Sequence, residues 1–96
     1  MPRDRTQLAE TEVQAFLRRA PGWALDSGML KKTFTFGDFR AAMAFVNRVA
    51  DAAEAADHHP DIDIRYNRVT LALVTHDAGG LTTRDTALAG QVDRFS

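Results

Sequence analysis

The sequence predicts an α+β fold: a four-stranded antiparallel sheet with three helices packed on one face, in a single domain spanning residues 1–96. Three observations predict it. Apolar side chains recur at helical spacing from Asp38 to Asp57. They alternate with polar ones from Leu30 to Phe36 and again from Ile62 to Val74. The segments follow one another as α-β-β-α-β-β-α, so neighbouring strands pair antiparallel through short turns and the helices are free to cover one face. A chain of 96 residues suits one domain, because domains run from about 50 to about 250 residues.

Each element has a local signature. The first helix starts at Thr11, a good capping residue, and sets Val13, Phe16 and Leu17 at helical spacing until Pro21-Gly22 stops it. Trp23 to Leu25 reads as a short strand, Asp26-Ser27-Gly28 as a turn, and Leu30 to Phe36 as the returning strand, with Leu30, Phe34 and Phe36 on one face. The segment Asp38 to Asp57 is a helix of about 30 Å. It carries two adjoining apolar stripes: Phe39, Met43, Val46, Ala50 and Ala53, beside Ala42, Phe45, Val49, Ala52 and Ala56. One stripe of about 100° is enough to cover a sheet, so the surplus predicts a contact between subunits, a homodimer or homotetramer built on this helix. A deep groove within the monomer is the alternative.

Ile62, Ile64 and Tyr66 alternate as a third strand, Asn67-Arg68 makes a tight turn, and Val69, Leu71, Leu73 and Val74 form the fourth strand. The last helix opens at Leu81-Thr82-Thr83-Arg84-Asp85, with Thr82 as N-cap and Asp85 three residues on in a variant of the capping box. Leu88, Val92 and Phe95 are its buried face.

Composition narrows the function. Twelve Lys and Arg against thirteen Asp and Glu give a net charge of -1, so no overall positive field is present to hold a phosphate backbone, and a nucleic-acid partner is not expected. With no Cys, thiolate metal sites, disulfides and cysteine nucleophiles are ruled out. No apolar run nears the roughly 20 residues of a membrane span, and Met1 to Glu10 lacks the apolar core of a secretory signal. A cytoplasmic location without membrane partners is the expectation.

The three histidines all fall between positions 58 and 76. Imidazole is the side chain that exchanges protons near neutral pH, so such a cluster suits general acid–base chemistry. His58 and His59 follow the long helix, where the negative end of its dipole favours imidazolium. Adjacent histidines before Pro60 can equally cap a helix, and imidazole also binds metals, although side chains of neighbouring residues point apart. No Gly-x-Ser-x-Gly elbow is present, and Gly79-Gly80 lacks the spacing of a nucleotide loop. That pair reads instead as a point of close backbone approach.

The strings Glu54-Ala-Ala-Asp-His58-His59-Pro60, Tyr66-Asn67-Arg68-Val69 and Thr75-His76-Asp77-Ala78-Gly79-Gly80-Leu81-Thr82, with Asp85, closely resemble the pterin-4a-carbinolamine dehydratase family. Gly22-Trp23 and Phe34-Thr-Phe36-Gly-Asp-Phe39 extend the resemblance over nearly the whole chain. It implies the same α+β fold, no metal and no organic cofactor. The implied activity is dehydration of 4a-hydroxytetrahydropterin to the quinonoid dihydropterin, which recycles the pterin of aromatic amino acid hydroxylases. By that resemblance His58 and His76 form the acid–base pair, His59 holds the substrate, and Glu54 and Asp85 orient or tune the imidazoles. His58, His59 and Pro60 with Thr75, His76, Asp77 and Ala78 line the pterin pocket. Some relatives, notably animal ones, carry Trp where this chain has Ile62. The family fold also serves elsewhere as a dimerisation cofactor or an assembly factor, so a non-catalytic binding role is the competing reading.

Overall fold

The computed structural model describes residues 5–96, so the Met1 to Asp4 part of the N-terminal reading lies outside the described residues. The chain runs α1 (Glu10–Arg19), β1 (Ala24–Asp26), β2 (Met29–Thr35), α2 (Phe39–Ala56), β3 (Asp61–Arg65), β4 (Arg68–Leu73), a one-turn 3-10 helix (His76–Ala78) and α3 (Thr83–Phe95). The four strands form one antiparallel sheet in the order β1-β2-β4-β3. The predicted α+β architecture and element order are those observed.

Register divides the sheet into an oily face and a wet one. Leu30 lies opposite Leu73 and Phe34 opposite Val69, while Ile62 and Ile64 on β3 face Leu71 and Val69. Because side chains alternate along a strand, these residues share one face, and Lys31, Thr33, Asp63 and Thr70 take the other. Val13 and Phe16 of α1, Phe45 and Val49 of α2, and Leu88 and Val92 of α3 close over the apolar face in one core. Phe34 meets Phe45 at 4.7 Å with tilted rings and Trp23 edge-on at 6.1 Å, so β2, α2 and the α1–β1 linker are joined through aromatic contacts.

Lys32 breaks the apolar alternation of β2, and its partners explain why it is tolerated. Its ammonium reaches Asp93 at 2.8 Å and the Pro21 carbonyl at 3.1 Å, and Trp23 Nε1 donates to the same carboxylate at 2.9 Å. A charge on the core side of a sheet is acceptable when it is paired in this way.

Of the two stripes on α2, the core takes Ala42, Phe45, Val49 and Ala52, together with Ala53. Phe39 stays 48 % exposed, Met43 and Val46 are half-buried, and Ala50 and Ala56 are exposed. Asp38 caps the helix, its carboxylate accepting from the Ala41 amide at 2.8 Å. Among the described residues, no helix is long and apolar enough to cross a membrane.

Several boundaries differ from the sequence reading. Helix α1 begins one residue before Thr11, with Ala9 at its N-cap position; Glu12 accepts from the Ala9 amide at 2.8 Å and supplies the cap that Thr11 was expected to provide. Trp23 precedes β1 and packs in the core. The β3–β4 turn is Tyr66-Asn67, not Asn67-Arg68, because Arg65 and Arg68 are already paired. Asn67 Nδ2 donates to the Phe36 carbonyl at 2.8 Å and the Phe36 amide donates back to Asn67, which fixes the turn and leaves Tyr66 exposed at φ 52°.

Candidate active site

The end of α2 delivers the first two histidines. Asp57 adopts a left-handed conformation (φ 48°), its amide bonding back to the Ala53 and Glu54 carbonyls, and the His58 amide bonds to Ala53 at 3.0 Å. This cap ends the helix and turns the chain sharply, so that His58 points inward while His59 stays at the surface. The third histidine starts the short 3-10 turn after β4.

His58 is buried, and its Nε2 lies 2.6 Å from Oδ1 of the fully buried Asp85. The other carboxylate oxygen of Asp85 accepts from the Thr75 hydroxyl at 2.8 Å and from the Thr82 amide at 2.9 Å. Thr75 and Thr82 hydroxyls are themselves 2.8 Å apart. Asp85 is therefore both the capping-box residue of α3 and the anchor of His58, the two jobs that its sequence position left open. An ionised Asp85 is an acceptor only, and against it His58 Nε2 is the protonated ring nitrogen. Every sealed side-chain nitrogen or oxygen among the described residues has a partner. His58 Nδ1, with no bonding partner of its own, therefore keeps an opening, and the cleft is beside it.

That cleft, of about 290 Å³, is lined by Asp57, His58, His59, Val74, His76, Asp77 and Arg84. The three imidazoles thus share one opening, although His58 and His59 come from the end of α2 and His76 from beyond β4. His59 is exposed and bonds through Nε2 to the carboxylate of Glu54 on the last turns of α2. Pro60 is half-buried, Thr75 is buried beneath the cleft in the Asp85 network, and Ala78 is half-buried in the 3-10 turn; none of these three lines the opening. Ile62 lies on β3, away from it.

Sequence reading missed Arg84, Asp57 and Val74 as lining residues. One signal was available for Arg84, since a cation in the first turn of a helix opposes the dipole and calls for a compensating partner. Its partners are the Asp57 carbonyl, to which Nη2 donates at 2.8 Å, and the Asp77 carboxylate, 3.6 Å from Nη1.

A short N-terminal segment backs the His76 turn. The Leu8 amide donates to the Leu81 carbonyl at 2.8 Å, Gln7 Nε2 donates to the Ala78 carbonyl at 2.7 Å, and Arg5 pairs with Asp77 at 3.3 Å. A β-carbon on Gly80 would sit 3.2 Å from the Gln7 side chain, so the two segments approach closely here. Among the described residues, no three His, Asp or Glu side chains are grouped as a metal would need.

A four-stranded α+β sandwich with a histidine-lined cleft, one imidazole of which is oriented by a buried carboxylate, defines a class of small proteins equipped to move protons on a bound molecule. Comparison makes the class specific. The family model for pterin 4 alpha carbinolamine dehydratase matches residues 6–95, and the chain belongs to that family. A protein from Chloroflexus aurantiacus, provisionally named pterin-4-alpha-carbinolamine dehydratase, is 56 % identical over 99 % of this chain and 98 % of its own. A similarly named protein from Acidobacterium capsulatum is 56 % identical over 91 % of this chain and 95 % of its own. Among solved structures, a transcriptional coactivator/pterin dehydratase from Brucella melitensis superposes with a TM-score of 0.89 at 34 % identity, covering 93 % of this chain and 97 % of the other. A pterin dehydratase-like protein identified as a RuBisCO assembly factor of the alpha-carboxysome superposes at 0.66 with 27 % identity, over 77 % of this chain and 88 % of that one.

Proposed function

We propose that this protein dehydrates 4a-hydroxytetrahydropterin to quinonoid dihydropterin, acting as one domain, with His58 and His76 as the acid–base pair and His59 holding the substrate. The observation that carries the reading is the convergence of His58, His59 and His76 on one cleft, with His58 fixed by Asp85. A volume of about 290 Å³ lies at the small end of ligand pockets and suits a two-ring molecule.

The reaction needs two proton transfers. One imidazole gives a proton to the 4a-hydroxyl, the C4a–O bond breaks and water leaves. The other removes the proton from N5, whose electron pair forms the C4a–N5 double bond. Two groups of near-neutral pKa on opposite sides of a flat substrate meet that need without a metal. Because Nε2 of His58 is tied to Asp85, Nδ1 is the atom that exchanges protons with substrate. Glu54 orients His59, Asp77 lines the pocket, and Pro60, Thr75 and Ala78 support its wall from behind. In a cell with aromatic amino acid hydroxylases the product is returned to their pterin pool.

Stopped-flow absorbance with 4a-hydroxytetrahydropterin tests the proposal. Wild type accelerates appearance of the quinonoid product over buffer, and His58→Ala or His76→Ala each slows it by about 10² to 10⁴-fold. Wild type no faster than buffer refutes the reading. The uncovered stripe of α2 supports a second element of the proposal, a homodimer or homotetramer packed through Phe39 and Met43. The same stripe favours one competing role, a protein-binding module; stoichiometric capture of a partner together with absent turnover would establish it instead.

A further inference from the structure

Arg84 and Asp85 are consecutive residues in the first turn of α3, and between them they touch both arms of the cleft. Asp85 works from below, holding the His58 ring and the hydroxyl of Thr75, the neighbour of His76. Arg84 works at the opening. One guanidinium nitrogen bonds the carbonyl of Asp57, the residue before His58, and another faces the carboxylate of Asp77, the residue after His76. Its side chain is only 14 % exposed, although the helix dipole disfavours a cation here. A planar fork with several fixed donors can hold two acceptors on different segments at once, which a single ammonium on a flexible stem cannot.

We infer that Arg84 is a positioning residue that sets the separation of His58 and His76 by bridging their two segments. The inference rests on the acid–base reading of those histidines. Arg84 is assigned to the bridge and not to substrate: one of its terminal nitrogens is bonded to Asp57 and the other faces Asp77, which is further balanced by Arg5 at 3.3 Å. The carbonyl it binds lies at the end of α2, where a cation is favoured, so the side chain trades an adverse dipole for a favourable one.

The test compares Arg84→Lys and Arg84→Gln by steady-state kinetics and thermal melts, with ¹H–¹⁵N imidazole spectra of the substrate-free proteins. Both variants should lose kcat by about tenfold or more while KM stays within about threefold, since a displacement near 1 Å can reduce rate by about 100-fold. The His58 and His76 ring signals should move in both, with the Trp23 indole signal unchanged. Full kcat in Arg84→Lys overturns the bridge in favour of simple charge. A KM raised about tenfold with kcat intact overturns it in favour of a substrate contact, in line with loss of uniform binding. Lowered melting with unchanged kcat overturns it in favour of a purely structural role. Should Arg84→Gln not fold, Asp77→Asn replaces it, and an unmoved His76 signal there refutes the bridge. Absence of turnover in wild type defeats the dehydratase reading alone; the imidazole spectra then decide the bridge, and unmoved signals sink it.

Discussion

Replacing Asp85 by Asn separates the two jobs of that carboxylate. The native side chain accepts three bonds, from His58, Thr75 and the Thr82 amide, at 2.6 to 2.9 Å and without solvent. An amide of the same size has one oxygen. Turned toward Thr75 and Thr82 it keeps the helix cap, but then presents NH₂ to His58 Nε2, which must give up its proton and become the acceptor. The ring is left in the other tautomer, with the proton on Nδ1 and no carboxylate on Nε2 to stabilise the imidazolium that a proton-exchanging His58 passes through. Bonds to a charged group are each worth about 1 kcal/mol more than neutral ones, and part of the loss returns because no charge is desolvated, so the expected destabilisation is about 1 to 3 kcal/mol. For a domain of this size that is a fall in Tm of about 5 to 20 °C. Turnover per folded molecule should drop far more, by about 10² to 10⁴-fold, as when an orienting carboxylate is neutralised in a hydrolytic triad. Urea denaturation gives the first quantity and stopped-flow the second. An Asp85→Asn protein that melts below wild type yet turns over within about threefold of it, well short of the general acid–base range, would refute the tautomer reasoning.

Three further outcomes are expected. Phe39→Asp with Met43→Asp should reduce the light-scattering mass to that of one chain, because it charges the uncovered stripe of α2; an unchanged oligomer places the interface elsewhere. Leu71→Ala, at a fully buried site in the sheet centre, should destabilise by about 2 to 5 kcal/mol in urea, and a loss below about 1 kcal/mol would mean the core collapses onto the cavity. The Asp26 carboxyl is held below its ordinary range by a hydrogen bond from Lys31, then by one from Ser27. Its depressed value means that the small stabilisation it brings is present at neutral pH and fades as acid carries the pH down through that value. An NMR titration of Asp26 should shift upward in Lys31→Ala, and an unmoved midpoint removes the pairing from the account.

Much of the architecture is written locally. Alternation marked β2 and β4, the twin stripes marked α2, and Thr82 with Asp85 marked the start of α3, because each depends on neighbours a few positions away. The β3–β4 turn slipped by one residue because its position is set by distant groups. Tyr66 is a poor candidate for φ 52° on its own, and only the clasp between Asn67 and Phe36 holds it there. Lys32 likewise reads as an interruption until Asp93, 61 positions on, is seen to meet it. In the cleft, the histidines were legible as a cluster, and the family resemblance added Glu54 and Asp85. Asp57 was not legible, since it takes part through a backbone carbonyl, and for Arg84 the misplaced cation in the first turn of α3 was legible but its partners were not, since no spacing rule encodes a reach between segments.

The bonds from Gln7 to Ala78, 71 residues on, and from Leu8 to Leu81 join the two segments into one mechanical unit. Fraying of the leading segment and loosening of one wall of the cleft are then a single event, not two. Altering the stretch from Arg5 to Ala9 therefore amounts to adjusting one wall of the cleft, and this stretch is better regarded as the cleft's outer hinge-pin than as a passive lead into α1.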